Sequence, residues 1–358
     1  MHTRPVVYVP EDIGPDAIEA LSADCTVVVG YGPEAVPFDE AAPTLEAVVL
    51  LGFPFPAGRI AACPRLRVIA RAGVGYDAVD VAAATARGIP VTNTPGANAS
   101  SVAEVTIGLL ISCFHRIPEL APVTDKRASR AYPGKELRDA VLAVVGAGDI
   151  GCEVARMAAA LGMRPVLAVA PGSSEARIGR IRERASALGA EVMDLAEAAE
   201  ICDALSVHTP LTPQTHHLVD ADLLSRMKPD AVVLNTARGG VVDDAALFTA
   251  VQEGRLGGAG LDCTEVEPVP ADHELRTLPN IVVLPHVGSL THQTRRRVGL
   301  SAAWAVLDAL AGREPEHVVN REALGADQAP LASGYGRVTA FAESRPQGNP
   351  AVTPTVNV

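Results

Sequence analysis

A chain of 358 residues is long enough for two domains of ordinary size. Its residues are 48% hydrophobic but only 3% aromatic, so the cores must be filled by Ala, Val, Leu and Ile, as in α/β proteins with buried parallel strands. The formal net charge of -12 repels a phosphate backbone and argues against nucleic acid as a partner, and the one basic run, Arg295-Arg296-Arg297, reads as a solvated helix face.

In chain order, Met1-His2-Thr3-Arg4-Pro5 leads straight into the strand-like Val6–Val9, leaving no room for a signal peptide, so a cytoplasmic location is expected. Further β-branched runs at Thr26–Val29, Val48–Leu51, Val68–Ala70 and Pro90–Thr92 alternate with Ala-rich stretches, predicting a first open parallel unit. A long helix over 100–117 follows, with Asn98 or Ser100 as its cap, and is expected to bridge two domains. Its apolar stretch falls short of the ~20 residues that span a bilayer, so no membrane partner is expected. Strand-like runs then recur at Val141–Val145, Val166–Val169, Leu205–Val207, Ala231–Leu234, Gly258–Leu261 and Ile281–Leu284. A helix over 292–311 precedes His317-Val318-Val319-Asn320, which would return to the first unit. The fold read from this order is α/β, with two Rossmann-like doubly wound parallel-sheet domains. Residues 1–99 and 290–324 form a discontinuous substrate (catalytic) domain, 100–289 the dinucleotide-binding domain, and 325–358 a mobile tail. The six cysteines, Cys25, Cys63, Cys113, Cys152, Cys202 and Cys263, show no metal spacing and read as reduced core residues.

Gly146-Ala147-Gly148-Asp149-Ile150-Gly151 is a GxGxxG placed directly between an apolar strand and a helix, the context in which it binds a dinucleotide. Gly146 makes the tight turn, Gly148 admits the pyrophosphate and Gly151 lets helix and strand pack closely. The acid expected about 20 residues on, for the adenosine ribose of NAD, is absent. The second strand ends at Val169-Ala170, with Ser173, Ser174 and Arg177 close behind, a set that suits the 2′-phosphate of NADP. The cofactor expected is NAD(P), with NADP narrowly preferred over NAD.

Further motifs are Arg71-Ala72-Gly73-Val74-Gly75-Tyr76-Asp77, Asn93-Thr94-Pro95-Gly96-Ala97-Asn98, Val102-Ala103-Glu104 and His208-Thr209-Pro210-Leu211-Thr212. Beyond them come Asn235-Thr236-Ala237-Arg238-Gly239-Gly240, Leu261-Asp262, Glu267-Pro268 and Pro285-His286. In this order, through most of 45–320, the chain resembles the D-isomer-specific 2-hydroxyacid dehydrogenases, which include glyoxylate/hydroxypyruvate reductases and phosphoglycerate dehydrogenases. The resemblance implies hydride transfer between a nicotinamide and a small 2-keto or 2-hydroxy acid. Arg238 would grip the carboxylate, a fork that Lys cannot reproduce. His286 would be the general acid/base, kept protonated by Glu267. The three are separated by 29 and 19 residues, which puts them on different loops. The same resemblance places His208, Thr209, Pro210, Thr236, Ala237 and Gly288 at the cofactor and Asp262 on the nicotinamide carboxamide. It also places Gly73, Val74 and Gly75 at the substrate, and it implies a homodimer with hinges near Asn98 and Gly288. His208, His216 and His217 lack ligand spacing, so no metal is expected.

Leu50-Leu51-Gly52-Phe53-Pro54-Phe55 has none of the basic residues that phosphoglycerate-type relatives place after the third strand, so a wall at Phe53 or Phe55 favours an apolar substituent. The lack of a regulatory domain after residue 330 argues against the long phosphoglycerate enzymes. Val74 replaces the lysine of phosphite-oxidising relatives, and Glu267 stands where formate-oxidising relatives use Gln. The alternatives are a short phosphoglycerate dehydrogenase and, in another class, a dinucleotide-sensing interaction protein like the family's corepressors.

Overall fold

The computed structural model describes residues 4–325, so the expected tail beyond Gly325 lies outside the described residues. The chain divides into two compact units, one running to Ala97 and resuming at Arg295, the other spanning Asn98–Thr294.

The first unit holds a parallel sheet of β1 (Val6–Val9), β2 (Thr26–Val29), β3 (Ala47–Leu50), β4 (Val68–Arg71) and β5 (Val91–Thr92), in the order β2-β1-β3-β4-β5. Alternation of side chains along each strand builds two cores. Val7, Val9, Ala47, Val49, Val68 and Ala70 pack with Leu21 of the helix Pro15–Asp24 and Val306 of the helix His292–Leu310. Tyr8, Val48, Leu50 and Ile69 point the other way, onto Phe38, Phe55 and Ile60. The Arg295–Arg297 run is not a solvated face. Arg295 pairs with Asp12, Arg296 Nε lies 3.0 Å from Asp16, and Arg297 Nε donates to the Ala97 carbonyl at 2.9 Å, tying the long helix to its neighbours.

The return segment at 317–320 does reach this unit. Val318 bridges Thr92 antiparallel, and the buried Asn320 takes the Val91 N–H on Oδ1 at 2.9 Å and donates from Nδ2 to Thr85 Oγ1 and the Ile89 carbonyl.

The second unit carries seven parallel strands: β6 (Val141–Val145), β7 (Arg164–Val169), β8 (Glu191–Asp194), β9 (Ala204–Val207), β10 (Val232–Asn235), β11 (Gly258–Leu261) and β12 (Ile281–Val283). Their order, β12-β11-β10-β9-β6-β7-β8, reverses direction between β6 and β9, the switch point outside which Rossmann sheets bind ligands. Val141, Ala143 and Val145 face one core while Leu142 and Val144 face the other, which explains why the strand reads as an unbroken apolar run. The helix Ala99–Phe114 lies wholly within this unit and buries Leu109, Leu110 and Phe114. It stops short of Ile117 because Arg116 turns left-handed, at φ 53°. The edge strand β8 had no sequence signal: its four residues begin and end on exposed acids. Among the described residues, no helix is long and apolar enough to cross a membrane.

Asn320→Ala should destabilise the first unit by about 2 kcal/mol, because it strands a buried N–H and a buried carbonyl. Urea unfolding followed by the fluorescence of Trp304, the only tryptophan and part of the same unit, measures this; an unchanged midpoint would contradict it.

Candidate active site

The glycine motif sits at the C-terminal end of β6. Gly146 adopts φ 104°, and a Cβ there would collide with the His208 carbonyl; a Cβ on Gly151 would collide with the Gly146 carbonyl. Gly148 is different: a Cβ there meets nothing within 4 Å, so the turn opens onto space. Gly148 also caps the helix Asp149–Ala160 without a side chain, so the first N–H groups of that helix face this opening with no side-chain acceptor from the cap. Ile150 packs on the core beneath. These features fit the pyrophosphate of a dinucleotide.

Asp149 puts a negative charge at this opening. It is answered by Arg184, which sequence reasoning missed because it lies 35 residues further along the chain. The Arg184 guanidinium donates to the Ala147 carbonyl and lies 3.5 Å from Asp149 Oδ1 and 3.8 Å from Cys152 Sγ.

Across the switch point, β9 ends at His208-Thr209-Pro210. Burial pushes the His208 pKa down to about 3, so its ring is neutral. Nε2 bonds Ser206 Oγ at 2.7 Å, while the buried Nδ1 has no partner among the described residues. At the end of β7, Ser173 Oγ donates to the Ala170 carbonyl and Ser174 Oγ caps the helix Glu175–Leu188 by accepting from the Arg177 N–H. The two hydroxyls are thus engaged locally. Only Arg177 reaches into the crevice, with Nη2 3.4 Å from Thr209 Oγ1.

The other three strands of this half carry the expected triad. At the end of β10, Asn235 is wholly buried and donates from Nδ2 to the carbonyls of Arg238 and Cys263, which shapes the turn that presents Arg238. Arg238 Nη1 donates to the Ala237 carbonyl at 2.6 Å, and Thr236 Oγ1 is bonded to Thr106 Oγ1 at 2.8 Å. Beyond β11, Asp262 is buried; its two carboxylate oxygens take the N–H groups of Val287 and Gly288, each at 2.7 Å, and its carbonyl takes that of His286. Asp262 therefore secures the loop of His286 and has two lone pairs committed before any carboxamide arrives.

His286, beyond β12, sits at φ 55°, a left-handed backbone costing a non-glycine residue about 1–2 kcal/mol. Its Nδ1 lies 2.8 Å from Glu267 Oε2. The hydrogen bond to Glu267 raises the His286 pKa above the ordinary imidazole value, overcoming burial and the Arg238 charge. Burial alone would raise Glu267, but His286, the Thr264 N–H and Arg238 together hold its carboxyl below the usual range. The structure thus brings Arg238, Glu267 and His286 into one electrostatic cluster. It also places Cys263 Sγ with Glu267 and His286, ligating atoms within 4.8 Å of one another, and groups His217, Asp243 and Glu265 in the same way; neither grouping was visible as a sequence spacing.

In the first unit, Gly73, Val74 and Gly75 follow β4. The Val74 carbonyl accepts from Asn93 Nδ2 at 2.8 Å, and the Gly73 carbonyl accepts from the Thr94 N–H. Phe53 follows β3, where the N–H groups of Leu51, Gly52 and Phe53 all donate to Glu11 Oε2. The expectation that no cation stands at this loop is corrected: Arg59 stacks over the Phe53 ring, 4.0 Å from its centroid.

The family described as D-isomer specific 2-hydroxyacid dehydrogenase, NAD binding domain, matches residues 107–288. Glyoxylate reductase from Aeropyrum pernix is 35% identical over 332 residues, covering 89% of this chain and 97% of the relative. D-3-phosphoglycerate dehydrogenase from Mycobacterium tuberculosis is 38% identical over 321 residues, 88% of this chain; the match spans 59% of that relative's length. Among solved structures, an NADPH-dependent glyoxylate/hydroxypyruvate reductase from Sinorhizobium meliloti, in complex with NADP and malonate, superposes with a TM-score of 0.75 at 30% identity, covering 92% of this chain and 100% of that one. With a glycine loop at the sheet's switch point, an Arg–Glu–His cluster on the neighbouring strand ends, a family model matched over residues 107–288 and a glyoxylate reductase matched over 97% of its length, this chain belongs to the D-isomer specific 2-hydroxyacid dehydrogenase family.

Proposed function

We propose that the chain is an oxidoreductase that transfers a hydride between NAD(P)H and a small 2-keto acid, giving a D-2-hydroxy acid. The observation that carries this reading is the 2.8 Å pairing of His286 Nδ1 with Glu267, beside Arg238, at the ends of adjacent strands. Because Glu267 takes Nδ1, Nε2 is the nitrogen left to face a substrate. The Arg238 guanidinium holds the carboxylate and draws electron density from the adjacent keto carbon. The one contribution from outside the chain is the hydride, which a bound reduced nicotinamide supplies to that carbon. As the carbonyl π pair moves onto oxygen, His286 Nε2 gives up its proton there and becomes neutral, with Nδ1–H still held by Glu267. In the oxidation direction, the neutral ring takes the hydroxyl proton.

Gly146, Gly148, Ile150 and Gly151 would hold the pyrophosphate, His208, Thr209, Pro210, Thr236, Ala237 and Gly288 the rest of the dinucleotide, and Asp262 the carboxamide. Arg177, in the first turn of the helix that follows β7, a strand with no acid at its end, supports NADP over NAD. The substrates proposed are glyoxylate and hydroxypyruvate, with Phe53, Gly73, Val74 and Gly75 contributing to their site. Oxidation of 3-phosphoglycerate is the second reading, favoured by the guanidinium of Arg59 on Phe53.

Steady-state assays with these substrates and both cofactors test the proposal; no turnover with any pair would reject it, and a strong NADH preference would reject the role of Arg177. His286→Ala should lower kcat by about 10²-fold or more while the cofactor still binds. For reduction, which needs the protonated imidazole, kcat/KM should fall as pH rises through the raised His286 pKa, above the ordinary value of about 6.5. Glu267→Gln removes the cause of that elevation, so the falling limb should move to lower pH; a limb that stays in place would separate His286 from the rate. At the glycine loop, Arg184→Ala should weaken NADPH binding about tenfold in calorimetry, and Asp149→Asn in the same chain should restore most of the loss, because the uncompensated carboxylate is the source of the repulsion. No rescue would mean that Arg184 acts only through the Ala147 carbonyl.

A further inference from the structure

Of the two ligand groupings, the one at His217 does not suit a cation. Its imidazole lies between its carboxylates, Nε2 2.8 Å from Glu265 and Nδ1 3.7 Å from Asp243, so an ion on either nitrogen loses the carboxylate on the other side. Glu265 Oε1 also accepts from the Asp244 N–H, and Asp243 Oδ1 caps the helix Asp244–Gln252. That grouping is a structural latch.

The grouping of Cys263, Glu267 and His286 is of another kind. Sulfur, imidazole nitrogen and carboxylate oxygen are together the donor set that zinc takes, with three protein ligands and one open position. Cys263 is buried at 1% exposure, while the side chains of Glu267 and His286 are 36% and 47% exposed, so the group has a fixed floor and an open mouth. Zinc holds such ligands about 2.0–2.3 Å from itself, hence roughly 3.3–3.8 Å from one another, and about an ångström of side-chain movement closes the present arrangement. The thiol serves nothing else in the site: it donates weakly to the Ala237 carbonyl at 3.5 Å, and burial raises its pKa, which keeps it inert.

We propose that Cys263, Glu267 and His286 form an inhibitory site for zinc or a similar thiophilic divalent cation. The inhibition, though not the binding, rests on the proton-transfer role given to His286 above. On binding, Cys263 Sγ, His286 Nδ1 and a Glu267 oxygen each supply a lone pair to the ion. The thiol proton and the proton that Nδ1 shares with Glu267 pass to solvent, and no electron changes hands. With Nδ1 on the metal, His286 cannot form the imidazolium that reduction consumes.

The test titrates the full-length protein with zinc chloride and, separately, with cobalt chloride. Zinc should inhibit keto-acid reduction, and one equivalent of cobalt should give a thiolate-to-cobalt charge-transfer band in the near ultraviolet. Cys263→Ser, whose hydroxyl can keep the bond to Ala237, should lose the band and need about tenfold more zinc or higher for the same inhibition, with near-normal turnover in chelator. Cys263→Ala, checked for folding by circular dichroism, serves as the second variant, and His217→Ala should change neither readout. A cobalt complex without the thiolate band, or equal zinc sensitivity of the wild type and both Cys263 variants, overturns the proposal. If the chain reduces no 2-keto acid, the proposed function fails, while the cobalt titration still decides the metal site.

Discussion

The loop that carries His286 hangs on one buried carboxylate. Asp262 takes the N–H groups of Val287 and Gly288 on its two oxygens, while its own carbonyl takes that of His286, so three successive donors are bound by a single residue at the end of β11. A carboxyl side chain at 2% exposure is tolerable only when its oxygens are hydrogen-bonded in this way. Those bonds in turn hold His286 in its left-handed conformation and aim the ring at Glu267. Ser101 Oγ on the Gly288 carbonyl and Asn98 Nδ2 on Ser289 Oγ fasten the same loop to the start of the helix Ala99–Phe114.

Around this anchor the charges are arranged by opposition. Glu267 keeps a proton available on His286, and Arg238 favours the ionised Glu267 while slightly opposing the imidazolium, so the pair is held together by a hydrogen bond rather than by field alone. The glycine loop follows the same logic: Asp149 suits the positive end of its helix but not an anion arriving there, and Arg184 offsets it from the next helix. Each corrective residue comes from a different element of the second unit, so the site depends on the order in which the strands and helices are laid down.

The strands with buried, β-branched cores were legible in the sequence because parallel strands covered on both faces read as apolar runs, and β1, β2, β6 and β11 match their expected ends. The edge strand β8 was not legible, since polar ends and four residues leave no period to detect. The helix ending at Phe114 was read too long because nothing in His115-Arg116-Ile117 announces a left-handed residue. The arginines at 295–297 were misread because composition shows charge but not the partners that absorb it.

The sequence by itself determined the glycine turn, the candidacy of Arg238, Glu267 and His286 through the motifs that carry them, and the missing acid after β7, because each is a matter of residue type at a position set by local geometry. Tertiary structure decided what lay across the chain. It brought Arg184 to Asp149 and set Cys263 beside His286. The physical reason is range: turns and strand ends are fixed by neighbours in sequence, whereas a hydrogen bond or a charge pair depends on distance in space, which parallel crossovers set between residues tens of positions apart.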